Sequence, residues 1–203
     1  MSPFQRLIAA SVAALALAGC ATGPNANPAD PLEPFNRGVT TFNDNLDKYA
    51  LKPVAETYQD YLPSPVRAAV GNFFSNVSDV YSAANNLLQG KPSRAVEDTM
   101  RVAINSVLGI GGLIDIATPA GLPKYKEDFG QTLGVWGVES GPYLVLPLLG
   151  PSTVRDTFAL PVDISGDIWR YKEPTNVRNM GTALRVIDTR AGLRSEEHTS
   201  ELQ

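Results

Sequence analysis

Cysteine and histidine are almost absent from this chain. Its 203 residues contain one cysteine, Cys20, and one histidine, His198. A single cysteine excludes an intrachain disulfide, and one residue of each kind cannot build a Cys/His metal site. Neither a Ser-His-Asp nor a Cys-His catalytic set can be assembled if Cys20 and His198 have the roles given below. We therefore expect no enzymatic activity, no cofactor and no bound metal.

A strong charge of either sign is also missing. The net charge is −4 and only 19% of the residues are charged, and we find no basic block of the kind that holds phosphate backbones. We therefore expect no nucleic-acid partner. The adjacent acids Glu97-Asp98 and Glu127-Asp128 are poor candidates for acid/base hydrolysis, because neighbours on a helix point in different directions.

The amino terminus accounts for the single cysteine. Arg6 precedes a 12-residue apolar run, too short to span a membrane, that ends in Leu17-Ala18-Gly19-Cys20. This pattern resembles a bacterial lipobox, so residues 1–19 are predicted to be a lipoprotein signal peptide and Cys20 the lipidated residue; the alternative is an ordinary signal peptide. Ala21, where an inner-membrane retention signal would have Asp, favours the outer membrane. Residues 20–29 are predicted to form the lipidated cysteine and a flexible tether.

The carboxyl terminus, residues 195–203, does not continue the preceding pattern. SEEHTSELQ resembles translated sequencing-adapter read-through, which predicts an artefactual tail and a different natural sequence after about Leu193. A short acidic tail is the alternative.

Between these ends, residues 30–194 are predicted to be one all-α domain. Apolar residues recur at helical spacing after Pro34, Pro53, Pro65 and Pro92, and again from about Thr175 to Ala191, while Gly90 suits the end of a helix. We expect the helix that opens at Ser64 to be the longest, a short helix within residues 161–171, and no β-strand. The run Lys124 to Asp128 is interpreted as a solvated loop.

The stretch from Phe129 to Asp156 is the most distinctive part of the chain. Between Gln131 and Val154 its only charge is Glu139, and glycines and prolines break it too often for one helix. Such a segment is either a buried loop or the lining of a cavity or lipid-facing surface.

Several motifs, in order, resemble the MlaA/VacJ family of outer-membrane lipoproteins. They are the lipobox, DPLEPFNR at 30–37, the Phe42-Asn43 pair, DYLPSPVR at 60–67, NFFSN at 72–76, LLQG at 87–90, and above all the 129–156 stretch. The resemblance implies a helical ring in the inner, periplasmic leaflet of the outer membrane, with an amphipathic channel. Through it, misplaced phospholipid would leave the outer leaflet for the periplasmic carrier MlaC, with trimeric porins as scaffolds. Family members continue past the Thr189–Arg194 segment.

Within this interpretation, we assign candidate residues. Candidate channel or lipid contacts are Asn36, Arg37, Phe42, Asn43, Trp136, Tyr143, Leu144, Leu146 and Leu148; ordinary packing, capping or solvation is the alternative for each. Candidate structural or hinge residues are Gly134, Gly137, Gly141, Pro142, Gly150, Arg155 and Asp156. A tethered adaptor that binds outer-membrane proteins without transporting lipid is the alternative function.

Overall fold

The computed structural model describes residues 31–201, with side chains up to residue 193. Seven α-helices and one β-hairpin make up the described chain. The helices are α1 (Glu33–Leu46), α2 (Lys52–Tyr61), α3 (Ser64–Leu88), α4 (Pro92–Val107), α5 (Phe129–Val135), α6 (Val154–Gly166) and α7 (Thr175–Glu201). A π-helical turn, Asp47–Leu51, joins α1 to α2, and a 3₁₀ turn, Ile168–Tyr171, follows α6.

The predicted helical fold is confirmed, and proline marks the first turn of four helices. Pro34, Pro53, Pro65 and Pro92 each lie at the first or second helical position of α1 to α4. Proline is tolerated there because its missing N–H would have no partner inside the helix. Within residues 31–201 the longest helix is α7, with 27 residues against 25 in α3; the prediction that α3 is the longest was wrong.

The expectation that the chain contains no strand was also wrong. Strands β1 (Tyr143–Leu146) and β2 (Gly150–Thr153) form an antiparallel hairpin inside the broken apolar stretch. Four-residue strands are too short to show a convincing alternation in the sequence. Gly150, with φ of +81°, allows the tight return that pairs them.

Helix α6 begins seven residues earlier than predicted and contains Pro161 in its interior. Its start is fixed by Thr153, whose Oγ1 accepts the backbone N–H of Asp156 at 3.2 Å and donates to the Asp156 carboxylate at 2.8 Å. This reciprocal cap satisfies an N–H that the first turn leaves free.

Helix α3 is central, and close contacts at glycine hold its neighbours against it. A Cβ on Gly166 would come within 2.0 Å of the Tyr81 ring, and one on Gly181 within 2.1 Å of Trp169. Trp169 in turn packs edge-to-face on Phe73 and Phe74 of α3. Elsewhere α7 lies on α2, where the Tyr58 hydroxyl donates to Asp188 at 2.8 Å.

Candidate functional site

The interior between α3 and α4 is polar. We call the buried polar side chains there the polar layer: Asn76, Asp79, Ser82, Asn85, Asn86, Gln89, Asp98, Arg101, Asn105 and Thr132. Most of these residues recur every three or four positions on α3 and α4, so each helix presents one polar face to the other. By contrast, five of the eight buried hydrophobic residues in the described chain are alanine; the eight are Ala55, Tyr58, Phe74, Ala95, Ala117, Val145, Ala159 and Ala191.

Arg101 is the centre of the polar layer. Its side chain is 1% exposed, and its guanidinium contacts Asp79 at 3.4 Å and Asp115 at 3.3 Å. It also donates to the Leu122 carbonyl at 2.7 Å and to Thr118 at 3.1 Å. A buried guanidinium needs both opposite charge and filled hydrogen-bond positions, and this set supplies both. The loop of residues 109–123 is thereby fixed on α4.

The segment Lys124 to Asp128 packs into this layer and is not simply a solvated loop, as the sequence had suggested. The Lys124 ammonium contacts the Asp79 carboxylate at 2.6 Å. Glu127, with a side chain 9% exposed, accepts from Gln89 at 2.9 Å and lies 3.4 Å from the Lys91 ammonium. Lys124 and Glu127 of the charge cluster therefore form pairs with residues of this layer and its edge.

Asp98 is fully buried and has no basic partner within ion-pair distance among the described residues. Its Oδ2 accepts from Asn86 at 2.8 Å, while its Oδ1 has no hydrogen-bond partner in the described chain. Burial raises the pKa of Asp98 to about 6, although the Asn86 hydrogen bond opposes the shift. Asp115 behaves differently: burial raises its pKa, but hydrogen bonds from Thr118 and Asn105 and the Arg101 charge outweigh it and bring the pKa to about 2.

Apolar side chains face outward from the same helices. Large hydrophobic residues are exposed on α3, α4 and the loop that follows, including Leu87, Leu88, Met100, Val107, Leu108 and Ile110. Contiguous exposed apolar surface marks contact with protein or membrane. Within residues 31–193, the arrangement of a usual water-soluble domain is thus partly inverted.

The hairpin is fastened to α1 by two asparagines. Asn36 donates to the Tyr143 carbonyl at 3.1 Å and accepts from the Val145 N–H at 2.8 Å. Asn43 does the same one step further on, donating to Leu146 at 3.0 Å and accepting from Leu148 at 2.9 Å. Each carboxamide thus acts as a short piece of neighbouring strand.

The spacing of the two asparagines matches the strand. Seven residues of helix rise about 10.5 Å, and the three residues from Tyr143 to Leu146, whose carbonyls accept from the two amides, extend about 10 Å. On the other edge, Val145 lies opposite Pro151, which has no N–H to offer. Asn36 and Asn43 were singled out from the sequence, but no signal there indicated that they bind the hairpin.

The other candidate contacts are distributed around this region. Arg37 is exposed and pairs with Glu33 on its own helix, and the Phe42 side chain is 52% exposed. The Trp136 indole donates to the Leu88 carbonyl at 2.9 Å, which ties the end of α5 to α3. Tyr143 and Leu148 are exposed, whereas Leu144 and Leu146 are half-buried.

The candidate hinge residues have distinct surroundings. Gly137 and Gly141 have positive φ angles of +91° and +67°, which favour glycine, and the exposed Pro142 immediately precedes β1. A Cβ on Gly134 would come within 2.7 Å of the Arg155 guanidinium. Arg155 contacts the Asp156 carboxylate at 2.8 Å where α6 begins. Whether any of these positions moves is a prediction that no observation tests.

A cleft of about 360 Å³ lies beside the hairpin. Its lining includes the apolar residues Leu146, Leu149, Pro151 and Leu160 and the acidic residues Asp128, Asp156 and Asp163. Burial raises the pKa of Asp163, although hydrogen bonds from the Phe129 N–H and the Tyr81 hydroxyl oppose the shift.

Helices with polar inner faces and apolar outer faces define a class of protein whose outer surface contacts protein or membrane while charge is kept inside. None of the helices in residues 31–201 is both long and apolar enough to cross a bilayer. Residues 28–202 match the model of the MlaA lipoprotein family. The chain therefore belongs to the MlaA family, as the motifs predicted.

Individual relatives agree with this assignment. The chain is 40% identical over 158 residues to the intermembrane phospholipid transport system lipoprotein MlaA of Escherichia coli K12, and equally to that of Shigella flexneri. These matches cover 74% of this chain and 62% of each relative, so the chain spans less than two thirds of their length. The Haemophilus influenzae protein of the same name is 35% identical over 166 residues, which cover 78% of this chain and 66% of that protein.

A solved structure shares the fold. That structure was solved to explain the structural basis for maintenance of bacterial outer membrane lipid asymmetry. It superposes on this chain with a TM-score of 0.71 at 38% sequence identity. The match covers 84% of this chain and 87% of that one. The predicted signal peptide, the lipidation of Cys20 and the tether at 20–29 lie outside the described residues. Backbone residues 195–201 continue α7, which does not test the prediction of an artefactual tail.

Proposed function

We propose that this protein is an outer-membrane lipoprotein that moves mislocalised phospholipid out of the outer leaflet and so maintains lipid asymmetry. The observation that carries the proposal is the polar layer beneath an apolar exterior. Hydrocarbon can cover the exposed side chains of α3 and α4 without unpaired charge, because Asp79, Arg101 and Asp115 satisfy one another inside. The names of the relatives, which specify intermembrane phospholipid transport, support the same function.

The mechanism needs a route with two kinds of wall. Acyl chains favour apolar side chains, whereas a charged or zwitterionic head group is costly to move through hydrocarbon and needs polar contacts. We propose that the helices and the hairpin form a ring around an amphipathic channel. Asn36, Asn43 and the residues of β1 would lie beside it, with Tyr143, Leu144, Leu146 and Leu148 offered to the acyl chains.

The anchoring and the partners follow the same proposal. A lipidated Cys20 would hold the protein in the periplasmic leaflet, since several acyl chains bind a bilayer far more firmly than one. Phospholipid would pass to the periplasmic carrier MlaC, with trimeric porins as scaffolds. The sequence offers no nucleotide-binding motif, so net direction would come from these partners.

Reconstitution tests the transport step. The purified chain is placed in asymmetric vesicles with labelled phospholipid in one leaflet, and the appearance of label on an added lipid acceptor is timed. Transfer faster than in protein-free vesicles is expected. Absence of transfer with intact porin binding would favour the tethered adaptor instead.

Removal of the anchor tests the apolar exterior. Cys20→Ala is expected to weaken membrane association without abolishing it, because the exposed side chains still partition into lipid. Fractionation of cells measures the outcome. Recovery of the variant wholly in the soluble fraction would contradict an embedded ring.

A further inference from the structure

Among the arginines whose side chains the structure describes, two differ from the others in having no acid partner. Among the nine arginines whose side chains are described in residues 31–193, seven lie within 4.0 Å of a carboxylate oxygen. The remaining two are Arg67 and Arg170. Arg170 is exposed to solvent, which screens its charge, but Arg67 is half-buried, and its Nε is fully enclosed and has no acceptor in the part of the chain that the structure describes. A guanidinium in that position usually has a bound counter-charge.

Arg67 lines a cleft of about 300 Å³ where α2, α3 and α7 meet. Tyr58 and Gln59 contribute from α2, Gly71 and Asn72 from α3, and Asp188 from α7. A Cβ on Gly71 would come within 3.2 Å of Asp188 Oδ2, so glycine at this position keeps space beside that carboxylate. The cleft therefore has a cation and an anion among its lining residues.

Asp188 is the anion, and it does not form an ion pair with Arg67. Its Oδ1 accepts from the Tyr58 hydroxyl at 2.8 Å. Burial raises the pKa of Tyr58, and the hydrogen bond to Asp188 raises it further, so Tyr58 is a neutral donor to the Asp188 carboxylate and not a counter-charge to it. Within the described chain, no basic nitrogen lies within 4.0 Å of Asp188. One positive and one negative group thus face the same cleft without neutralising each other.

We propose that this cleft binds a zwitterionic phosphoethanolamine group, with its phosphate on Arg67 and its ammonium on Asp188. The planar guanidinium suits two phosphate oxygens at once, and the free Asp188 oxygen suits an ammonium. A ligand with both charges satisfies both side chains. A simple anion on Arg67 would instead leave the Asp188 carboxylate unpaired and would lie close to this like charge. That the group belongs to a membrane phospholipid rests on the proposed function.

Soluble probes test the cleft without any membrane. The full chain in detergent is titrated with O-phosphoethanolamine, glycerol phosphate and ethanolamine, and binding is followed by amide chemical shifts and by the thermal unfolding midpoint. We expect O-phosphoethanolamine to bind most tightly of the three. Arg67→Gln should weaken its binding roughly tenfold or more, since a charge-assisted contact is lost.

The second variant separates the two charges. Asp188→Asn retains an oxygen that accepts from Tyr58, so the fold should hold, and it should weaken O-phosphoethanolamine without weakening glycerol phosphate. Arg170→Gln is the matched control and should bind all probes as the parent chain does. Equal binding of O-phosphoethanolamine to the parent and Arg67→Gln proteins would overturn the proposal, as would equal weakening of both phosphates by Asp188→Asn.

Vesicles then identify the source of the group. Lipid transfer by the parent chain, with slower transfer of ethanolamine phospholipid by the Arg67→Gln variant, would support a lipid head group as the ligand. Probe binding without any lipid transfer would support the proposed binding site in the cleft and contradict the proposed transport function. If variants that no longer bind the probe transfer lipid as fast as the parent chain, the proposed transport function is supported. The proposal that the cleft binds a lipid head group is then overturned.

Discussion

The polar layer and the hairpin face use polar side chains in opposite ways. In the polar layer, Arg101, Asp79 and Asp98 are buried and carry or can carry charge. At the hairpin, the uncharged amides of Asn36 and Asn43 bond to the backbone of β1. Charge inside a protein is costly to leave unpaired, whereas an amide can be released to water at modest cost. We therefore expect the polar layer to be the more stable part of the molecule and the hairpin to be attached by weaker, separable contacts.

The largest effect should come from removing Arg101. Arg101→Met leaves Asp79 and Asp115 without their shared partner, and the free energy of unfolding should fall by about 3–5 kcal/mol. Urea unfolding in detergent measures it. Arg37→Met is the control, because the exposed Arg37–Glu33 pair should contribute less than about 0.5 kcal/mol. Similar losses in both variants would remove the distinction between the polar layer and the surface.

Detaching the hairpin should have the next largest effect. Asn36→Leu removes one donor and one acceptor and leaves the buried Val145 N–H without a partner, at a cost of about 2–4 kcal/mol. Hydrogen exchange at Val145 and Leu148 should accelerate, while exchange in α3 and α4 should change little. Asn45→Leu, on the exposed side of α1, serves as the control. Uniform acceleration throughout the chain would show that the hairpin is not a separable part.

The polar layer should also respond to pH in two windows. Because folding raises the pKa of Asp98 from 3.8 to about 6, the folded state binds this proton more tightly than the unfolded state does. Its contribution is present below about pH 4 and is lost as the pH rises to 6, by at most about 3 kcal/mol. Asp115 has the opposite sign, since its pKa is lowered to about 2; its contribution is present above about pH 4 and is lost toward pH 2.

Substitutions identify each window. Asp98→Asn should reduce the loss of stability between pH 4 and 6. At pH 7 the variant should be at least as stable as the parent chain. Asp115→Asn should instead reduce the loss below pH 4. Chemical unfolding at fixed pH values provides the comparison. An unchanged profile in the Asp98→Asn variant would mean that Asp98 titrates normally.

The smallest effect on stability should come from the apolar exterior. Phe158 is 79% exposed, so Phe158→Ser should change the free energy of unfolding by less than about 0.5 kcal/mol. Binding of the Phe158→Ser variant to lipid vesicles should nevertheless weaken, because a phenylalanine side chain in hydrocarbon contributes about 2 kcal/mol to the free energy of partitioning. Thr182→Ser, at an exposed polar position, is the control for vesicle binding. A loss of stability without a loss of vesicle binding would place Phe158 in a protein contact.

Much of the helical fold was predictable, for local reasons. Pro34, Pro53, Pro65 and Pro92 mark helix starts because proline can occupy the first turn and not later positions. Gly90 follows α3 with a φ of +72°, as a residue just past a helix end often does. Pro161 shows the limit of that reasoning, since the Thr153 cap starts α6 upstream and tertiary packing tolerates a proline in its interior.

Most of the candidate site was not predictable in the same way. The three-to-four residue repeat of Asn76, Asp79, Ser82 and Asn86 is present in the sequence, but a polar stripe at helical spacing usually faces solvent. Charge pairing among Lys124, Asp79 and Arg101 joins segments far apart along the chain, and spacing alone carries no information on such contacts. The same holds for the fit of Asn36 and Asn43 to β1.

The sequence by itself determined the family, the helical class and the approximate bounds of most helices, because these depend on local backbone preferences and on motifs read in order. The tertiary structure decided which face of each helix is turned inward. That choice depends on whether polar side chains find partners, and in this protein Arg101 and Asp79 find theirs inside while Val107 and Phe158 remain outside. Burial of satisfied charge and exposure of apolar surface are properties of the assembled chain, and no single helix contains them.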